Sequence, residues 1–436
     1  MLLRLSLAVI TPPLFAADEA GHLLYIHEIA INHVLPVQSH DGIWANSNGV
    51  EDFYHTPLYY VLMSPIYRLL WPSHLALYAI RMASVGFGLI SVFLIRQMVR
   101  EHFPESPWAA EIAALFAAFQ PAFVAVTSAV NNDSLSLLMM VLVLRELGRL
   151  SSRGFNARRL GWLCGLFAIA LYVKVSALAL LPAFLVAALF LPFPSSWRHR
   201  LLAVVPAAVG LFAVLPWLVL RNQREYGSLL ALDMHWQVLI GPLWVRIATE
   251  SFYMAQTFWF GLGRTTEILN PLWMTIPLSA VLLVCARRVS WRWRSYNGAQ
   301  RSILAVSLMP LLAGFAQSLE YGVNWGYSQG RYLLPGLTFL SIVFGIGLTG
   351  STNVVRIRKR ATGLLVTATA SWLIFAGLSV IPGFARVRID RSVGGLLKQT
   401  PYHAGDLDVW VMRRTAPLRA EDACQSATHS PFSRPC

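Results

Sequence analysis

The chain has 436 residues, 56% hydrophobic and only 13% charged, with a mean hydropathy of +0.55. A soluble domain carries about 25% charged residues, so this composition excludes a large soluble protein and points to a polytopic membrane protein. The net charge of +14 would suggest nucleic acid in a soluble chain. Here the arginines fall in short loops between apolar runs, and no basic face alternates with stacking aromatics, so nucleic acid is excluded as a partner.

A helix needs roughly 20 apolar residues to cross a bilayer, and Leu201–Leu220 and Ala361–Pro382 qualify outright. In chain order the expected spans are 2–15, 76–97, 108–129, 134–149, 160–173, 176–194, 201–220, 271–286, 302–319, 332–350 and 362–382. The fold class is therefore all-α integral membrane, with about eleven transmembrane helices. The first run, with Arg4 near its start, resembles a signal peptide. It is read as an uncleaved helix, short enough to leave open a start further upstream.

Two stretches exceed what a connector needs. Residues 16–75 form a long first outer loop with a helix at Gly21–Val34, where His22, Glu28, Asn32 and His33 interleave with apolar residues, as in a helix lying in the interface. A second short helix, Pro57–Leu70, lies on or dips into the membrane. Residues 221–270 are rich in Trp, Tyr and Phe, as an interfacial belt would be. The domain reading is a membrane unit over 1–382 and a small polar extracytoplasmic tail over 383–436. Cys164 and Cys285 fall in apolar runs and read as inert; Cys424 and Cys436 lie in the tail, where pairing stays open.

Charge supports this topology. Loops on one side carry Arg96 and Arg100; Arg145, Arg149, Arg153, Arg158 and Arg159; Arg198 and Arg200; Arg287, Arg288, Arg292, Arg294 and Arg301; Arg356, Arg358, Lys359 and Arg360. With Arg4 these are 19 of the 35 basic residues, whereas 16–55 holds six carboxylates and no Lys or Arg. This asymmetry places the N-terminus in the cytoplasm and the tail outside. A bacterial inner membrane is the expected location.

Five constellations could carry chemistry. Asp18, Glu19 and His22 open the outer loop, and on a helix Asp18 and His22 share a face. They read either as a base with a supporting histidine, with a divalent metal possible, or as acidic residues at a helix N-terminus. His55 and Thr56 precede Pro57, a favoured first helical position, so free N–H groups there could hold a phosphate; an ordinary Thr cap also fits. Asp133, in Asn131-Asn132-Asp133-Ser134, is either a helix cap or a second site carboxylate facing Asp18. Lys174 interrupts an apolar run, which marks a site or a side chain snorkelling from a helix end. The last is Tyr327-Ser328-Gln329-Gly330-Arg331-Tyr332-Leu333-Leu334-Pro335. A guanidinium there, beside the free N–H groups of a starting helix, suits a phosphate oxyanion; a plain surface anchor is the alternative. Together, carboxylates and phosphate-suited cations at an outer membrane face point to a lipid-phosphate-linked sugar donor.

The ordered set resembles the GT-C superfamily of polyprenyl-phosphate-sugar-dependent glycosyltransferases, in the branch of protein O-mannosyltransferases and aminoarabinose transferases. The matching pieces are Asp18-Glu19-x-x-His22, His55-Thr56-Pro57-Leu58-Tyr59-Tyr60, Asn132-Asp133, Lys174, Pro216-Trp217 with Arg221-Asn222 and Tyr226-Gly227, and Gln329 through Pro335. They span most of residues 10–350. Aminoarabinose enzymes often show Lys-Pro-Pro-Leu where this chain has His55-Thr56-Pro57-Leu58. The resemblance implies an inverting transfer to a glycan, lipid or protein acceptor, with Asp18 as base and Glu19 and Asp133 beside it. It assigns donor or acceptor contacts to His22, His55, Lys174, Tyr327, Gln329, Arg331 and Tyr332. A flippase of lipid-linked sugars and a noncatalytic subunit of an envelope assembly complex are the rival readings. No internal repeat of the kind transporters show is evident.

Overall fold

The structure is a computed structural model that describes residues 1–11, 13–14, 16, 18–37, 53–154, 156–190, 197–227, 242–260, 272–325, 329–349 and 363. Tyr327, the tail with Cys424 and Cys436, and all of the expected last span except Gly363 lie outside the described residues. Among the described residues there is no β-strand. The helices are α1 (Leu2–Ile10), α2 (Glu19–His27), α3 (Leu58–Leu70), α4 (Leu75–His102), α5 (Pro107–Phe119), α6 (Pro121–Val126), α7 (Asn132–Arg153), α8 (Ala157–Val173) and α9 (Leu181–Leu189), followed by α10 (Trp197–Tyr226), α11 (Leu243–Phe260), α12 (Leu272–Trp291), α13 (Gly298–Trp325) and α14 (Leu337–Thr349). The all-helical membrane architecture is as expected. Four segments are long and apolar enough to cross a membrane by length and composition: Leu75–His102, Arg200–Tyr226, Gly298–Asn324 and Gly330–Thr349.

Several helices outrun their expected spans because their arginine-bearing ends continue as helix. Glu101 takes Arg145 at 2.6 Å and Arg149 at 2.8 Å, and Glu111 takes Arg96 at 2.8 Å. Gln300 reaches Glu105 at 2.6 Å and Ser302 reaches Ser151 at 2.7 Å. These contacts gather 96–111, 145–159 and 300–302 at one end of the bundle.

Arg4 departs from this pattern. It is buried, not in an arginine-rich loop. The expected span 108–129 breaks at Gln120–Pro121 into α5 and α6. Pro121 has no N–H for the Ala117 carbonyl four residues back. The Arg4 guanidinium supplies donors instead, to Ala117 O at 3.4 Å and Ala118 O at 2.8 Å, and to Thr127 Oγ1 at 2.9 Å. Helix α1, nine residues long, is also too short to span.

Helix α2 corrects the interfacial expectation. Every residue from Gly21 to His27 is buried, so the helix lies inside the bundle. Its polar side is covered by α3: His22 and His27 hydrogen-bond the Tyr60 and Tyr67 hydroxyls at 2.9 and 3.1 Å. Helix α3 itself is amphipathic, with Tyr59, Tyr60, Met63 and Tyr67 buried and Val61, Leu62 and Leu69 exposed. Helix α11 was not expected, because its residues read as belt. Close packing between α5 and α14 depends on Gly345, where a Cβ would collide with the Ala109 carbonyl, as small residues permit in membrane bundles.

Candidate active site

The end of the bundle opposite the arginine-rich loops collects the chemistry. Asp18 precedes α2 with φ 59° and ψ 3°. Aspartate is one of the few non-glycine residues that enter this left-handed conformation readily. The Asp18 carbonyl accepts the His22 N–H at 3.0 Å, and its carboxylate takes Arg331 at 2.6 Å.

Arg331 is placed by a short 3-10 turn, Gly330–Gly336, not by the first turn of a helix. The Gly330 N–H donates to Thr257 Oγ1 at 2.7 Å, and a Cβ at Gly330 would collide with the Phe258 backbone nitrogen. Helix α11 thus fixes the turn, and Thr257 is a supporting residue that sequence reasoning missed. Its only trace in the sequence was an aromatic-rich stretch. Tyr332 places its ring under Arg331, 5.5 Å from the guanidinium carbon. The Gln329 carbonyl accepts the Tyr332 N–H at 3.1 Å. The Gln329 side chain makes no hydrogen bond among the described residues.

The second carboxylate is held in the same way. Asn131, not Asp133, caps α7: its side chain accepts the Asp133 N–H at 2.6 Å. The Asp133 carboxylate is therefore available to Lys174, which it meets at 2.6 Å. Lys174 sits in extended backbone between α8 and the 3-10 turn Val175–Leu180. The apolar run breaks at the charge, and the ammonium points to a partner inside the bundle rather than to the interface.

His22 is buried, and its ring stacks against that of His55 at 5.7 Å. Burial pushes His22 down to about 4 against a smaller upward pull from Asp18, and burial also holds His55 well below the usual imidazole range. Both rings are neutral at pH 7. Thr56 does not cap α3; Pro57 occupies that position. For Asp18, burial pushes the carboxyl up, but the neighbouring cations, Arg331 first and then Lys174, outweigh it and hold the group below its ordinary value.

Glu19 does something different from its neighbour. Its two oxygens take Arg81 at 2.8 and 2.6 Å, and one also accepts the Val130 N–H at 3.0 Å. Both side chains are fully buried. This is a structural pair joining α2, α4 and the loop before α7, and the geometry does not carry the catalytic expectation for Glu19. Removing one partner of a buried pair costs about 3–5 kcal/mol. Arg81→Met is therefore expected to lower thermal stability in detergent by that order, and an unchanged unfolding curve would show the pair to be dispensable.

Among the described residues no three His, Cys, Asp or Glu side chains converge as metal ligands. Asp18 and Asp133 each already face a cation, so the described residues do not fit a metal.

Comparison with known proteins gives a family match over part of the chain and a shared fold. Residues 54–220 match the family model of dolichyl-phosphate-mannose-protein mannosyltransferases. The fold is similar to ArnT from Cupriavidus metallidurans in the apo state, with a TM-score of 0.57 and 17% identity over 94% of this chain and 72% of that one. ArnT from the same organism bound to undecaprenyl phosphate gives a TM-score of 0.54, also at 17% identity, over 94% of this chain and 73% of that one. No curated protein matches in sequence. Taken together, the chain matches this family model over residues 54–220 and shares its fold with ArnT.

Proposed function

We propose that the protein transfers a sugar from a polyprenyl-phosphate donor to an acceptor at the outer face of a bacterial inner membrane, with inversion at the anomeric carbon. The observation that carries this reading is the pair of carboxylate–cation contacts at one end of the bundle, Asp18–Arg331 and Asp133–Lys174, each 2.6 Å. ArnT bound to undecaprenyl phosphate supports a lipid-phosphate ligand for this fold.

In this mechanism the donor phosphate enters between Arg331 and Lys174 and draws both cations from their carboxylates. Asp18, no longer held down by Arg331, becomes a stronger base. It takes the proton of the acceptor hydroxyl as that oxygen bonds to the anomeric carbon. The bond from that carbon to the phosphate oxygen breaks with its electron pair, and the leaving phosphate carries the new negative charge. Transition-state charge builds on the sugar ring as in glycoside hydrolysis, and the two cations stabilise the leaving group. Asp133, released by Lys174, orients the acceptor or a sugar hydroxyl. His55 lies beside His22 at the same site. The acceptor is a glycan, lipid or protein.

Mass spectrometry of polyprenyl-phosphate sugars and envelope glycans tests this in cells carrying wild type, a deletion, or Asp18→Asn. Loss of one glycan with build-up of one lipid-linked sugar is expected in both mutants. A change in the deletion alone would remove Asp18 from the mechanism and favour a transporter or a scaffold.

A further inference from the structure

Three buried side chains from separate elements form a hydrogen-bonded line into the site. His22 on α2, Tyr60 on α3 and Asn132 at the start of α7 are 1%, 0% and 0% exposed. The Tyr60 hydroxyl lies 2.9 Å from His22 Nδ1, and Asn132 Nδ2 donates to that hydroxyl at 3.2 Å. Tyr25 stacks flat on the Tyr60 ring, 3.8 Å between centroids at 13°. Tyr25 is itself fixed, because its hydroxyl donates to the His55 carbonyl at 3.2 Å. The Tyr60 phenol is therefore held in place.

Proton counting then sets the direction of the line. A phenol oxygen has one proton to give. With an amide N–H of Asn132 on one lone pair, the arrangement that pairs this proton directs it to His22 Nδ1. Nδ1 is then an acceptor, and the ring's proton sits on Nε2, because the bond at one imidazole nitrogen sets the state of the other. His22 Nε2 has no hydrogen-bond partner among the described residues. Around the ring stand Asp18, Lys174, Asp133 and Arg331, the groups assigned above to base and phosphate.

We propose that Asn132 and Tyr60 are positioning residues that lock His22 as the neutral Nε2–H tautomer, so that His22 serves as a hydrogen-bond donor to the donor lipid's phosphate. A ring in this state presents no lone pair at Nε2, so it does not compete with Asp18 for the acceptor proton. The phosphate contact rests on the function proposed above; the tautomer does not.

The test is nitrogen NMR of the full-length protein labelled with 15N-histidine, with the His22 resonances assigned by their loss in His22→Gln. Wild type is expected to show a neutral Nε2–H ring across about pH 5–8. Asn132→Asp replaces the amide donor with an acceptor, which captures the Tyr60 O–H and turns His22 to the Nδ1–H form. Tyr60→Phe keeps the stack on Tyr25 but removes the lock. It is expected to raise the KM for the lipid donor about three- to tenfold, the worth of one hydrogen bond, with a smaller change in kcat. Addition of undecaprenyl phosphate should shift the Nε2 resonance of wild type. An Nδ1–H ring in wild type, or a tautomer unmoved by Asn132→Asp, overturns the lock. A locked ring whose Nε2 resonance ignores undecaprenyl phosphate overturns the phosphate contact. Absence of sugar transfer in cells would overturn the function while leaving the tautomer as stated.

Discussion

Asp18→Asn is expected to lower kcat by about 10²–10⁴-fold, the usual contribution of a positioned general base, while tightening the binding of polyprenyl phosphate. The two effects have one cause. Asp18 holds Arg331 at 2.6 Å, so the donor phosphate must compete with a carboxylate for its own partner. Asparagine cannot accept the acceptor's proton, and it releases Arg331 to the phosphate. The variant also suits the backbone: Asp18 has φ 59°, and asparagine is among the few side chains that enter the left-handed region readily. Alanine there would add strain and confuse the result. Transfer rates with a lipid-linked sugar and direct binding of undecaprenyl phosphate, both on purified protein, measure the two effects. Normal turnover would end the base assignment. Lost turnover with weakened phosphate binding would show that Asp18 supports the donor site rather than restraining it.

Much of this site could be read from residue types, but not which charge meets which. Asp18, Asp133, Lys174 and Arg331 stood out because charges are rare in apolar sequence. Their pairing depends on the arrangement of α2, α7, α8 and the turn before α14, and nothing local in the sequence encodes it. Glu19 illustrates the limit. It neighbours Asp18 and has the same chemistry, but one position on a helix turns it toward Arg81, 62 residues away in sequence. Asn131 and Asp133 show the reverse case. Both are good capping residues, and only the structure decides that Asn131 caps and thereby leaves Asp133 to Lys174.

The fold was legible where an apolar run had polar ends, as at α4, α7 and α8. It was misread where polarity was satisfied inside the bundle. The histidines of α2 suggested a wet face, yet the tyrosines of α3 cover them. Helix α11 was hidden for a related reason. Its aromatic residues resemble a belt, while its work lies in Thr257 and in the backbone at Phe258 that seats Gly330.

Arg331→Ala should do the opposite of Asp18→Asn on binding and share its effect on rate. A hydrogen bond to a charged group is worth about 1.5–3 kcal/mol, so donor affinity should fall roughly 10- to 150-fold. The rate falls too, because the leaving phosphate loses a cation in the transition state. The fold should survive. The turn is seated by Gly330 on Thr257 rather than by the Arg331 side chain, and Asp18 is not sealed from solvent, with about a third of its side chain exposed. Arg331→Lys restores charge but not the planar fork, and so recovers only part of the affinity. The double variant Asp18→Asn with Arg331→Ala separates the roles. If Asp18 acts on donor binding only by occupying Arg331, the tightening caused by Asp18→Asn disappears once Arg331 is gone. Persistence of that tightening in the double variant would mean that Asp18 repels the donor phosphate directly, and Lys174 would then be the main cation holding it.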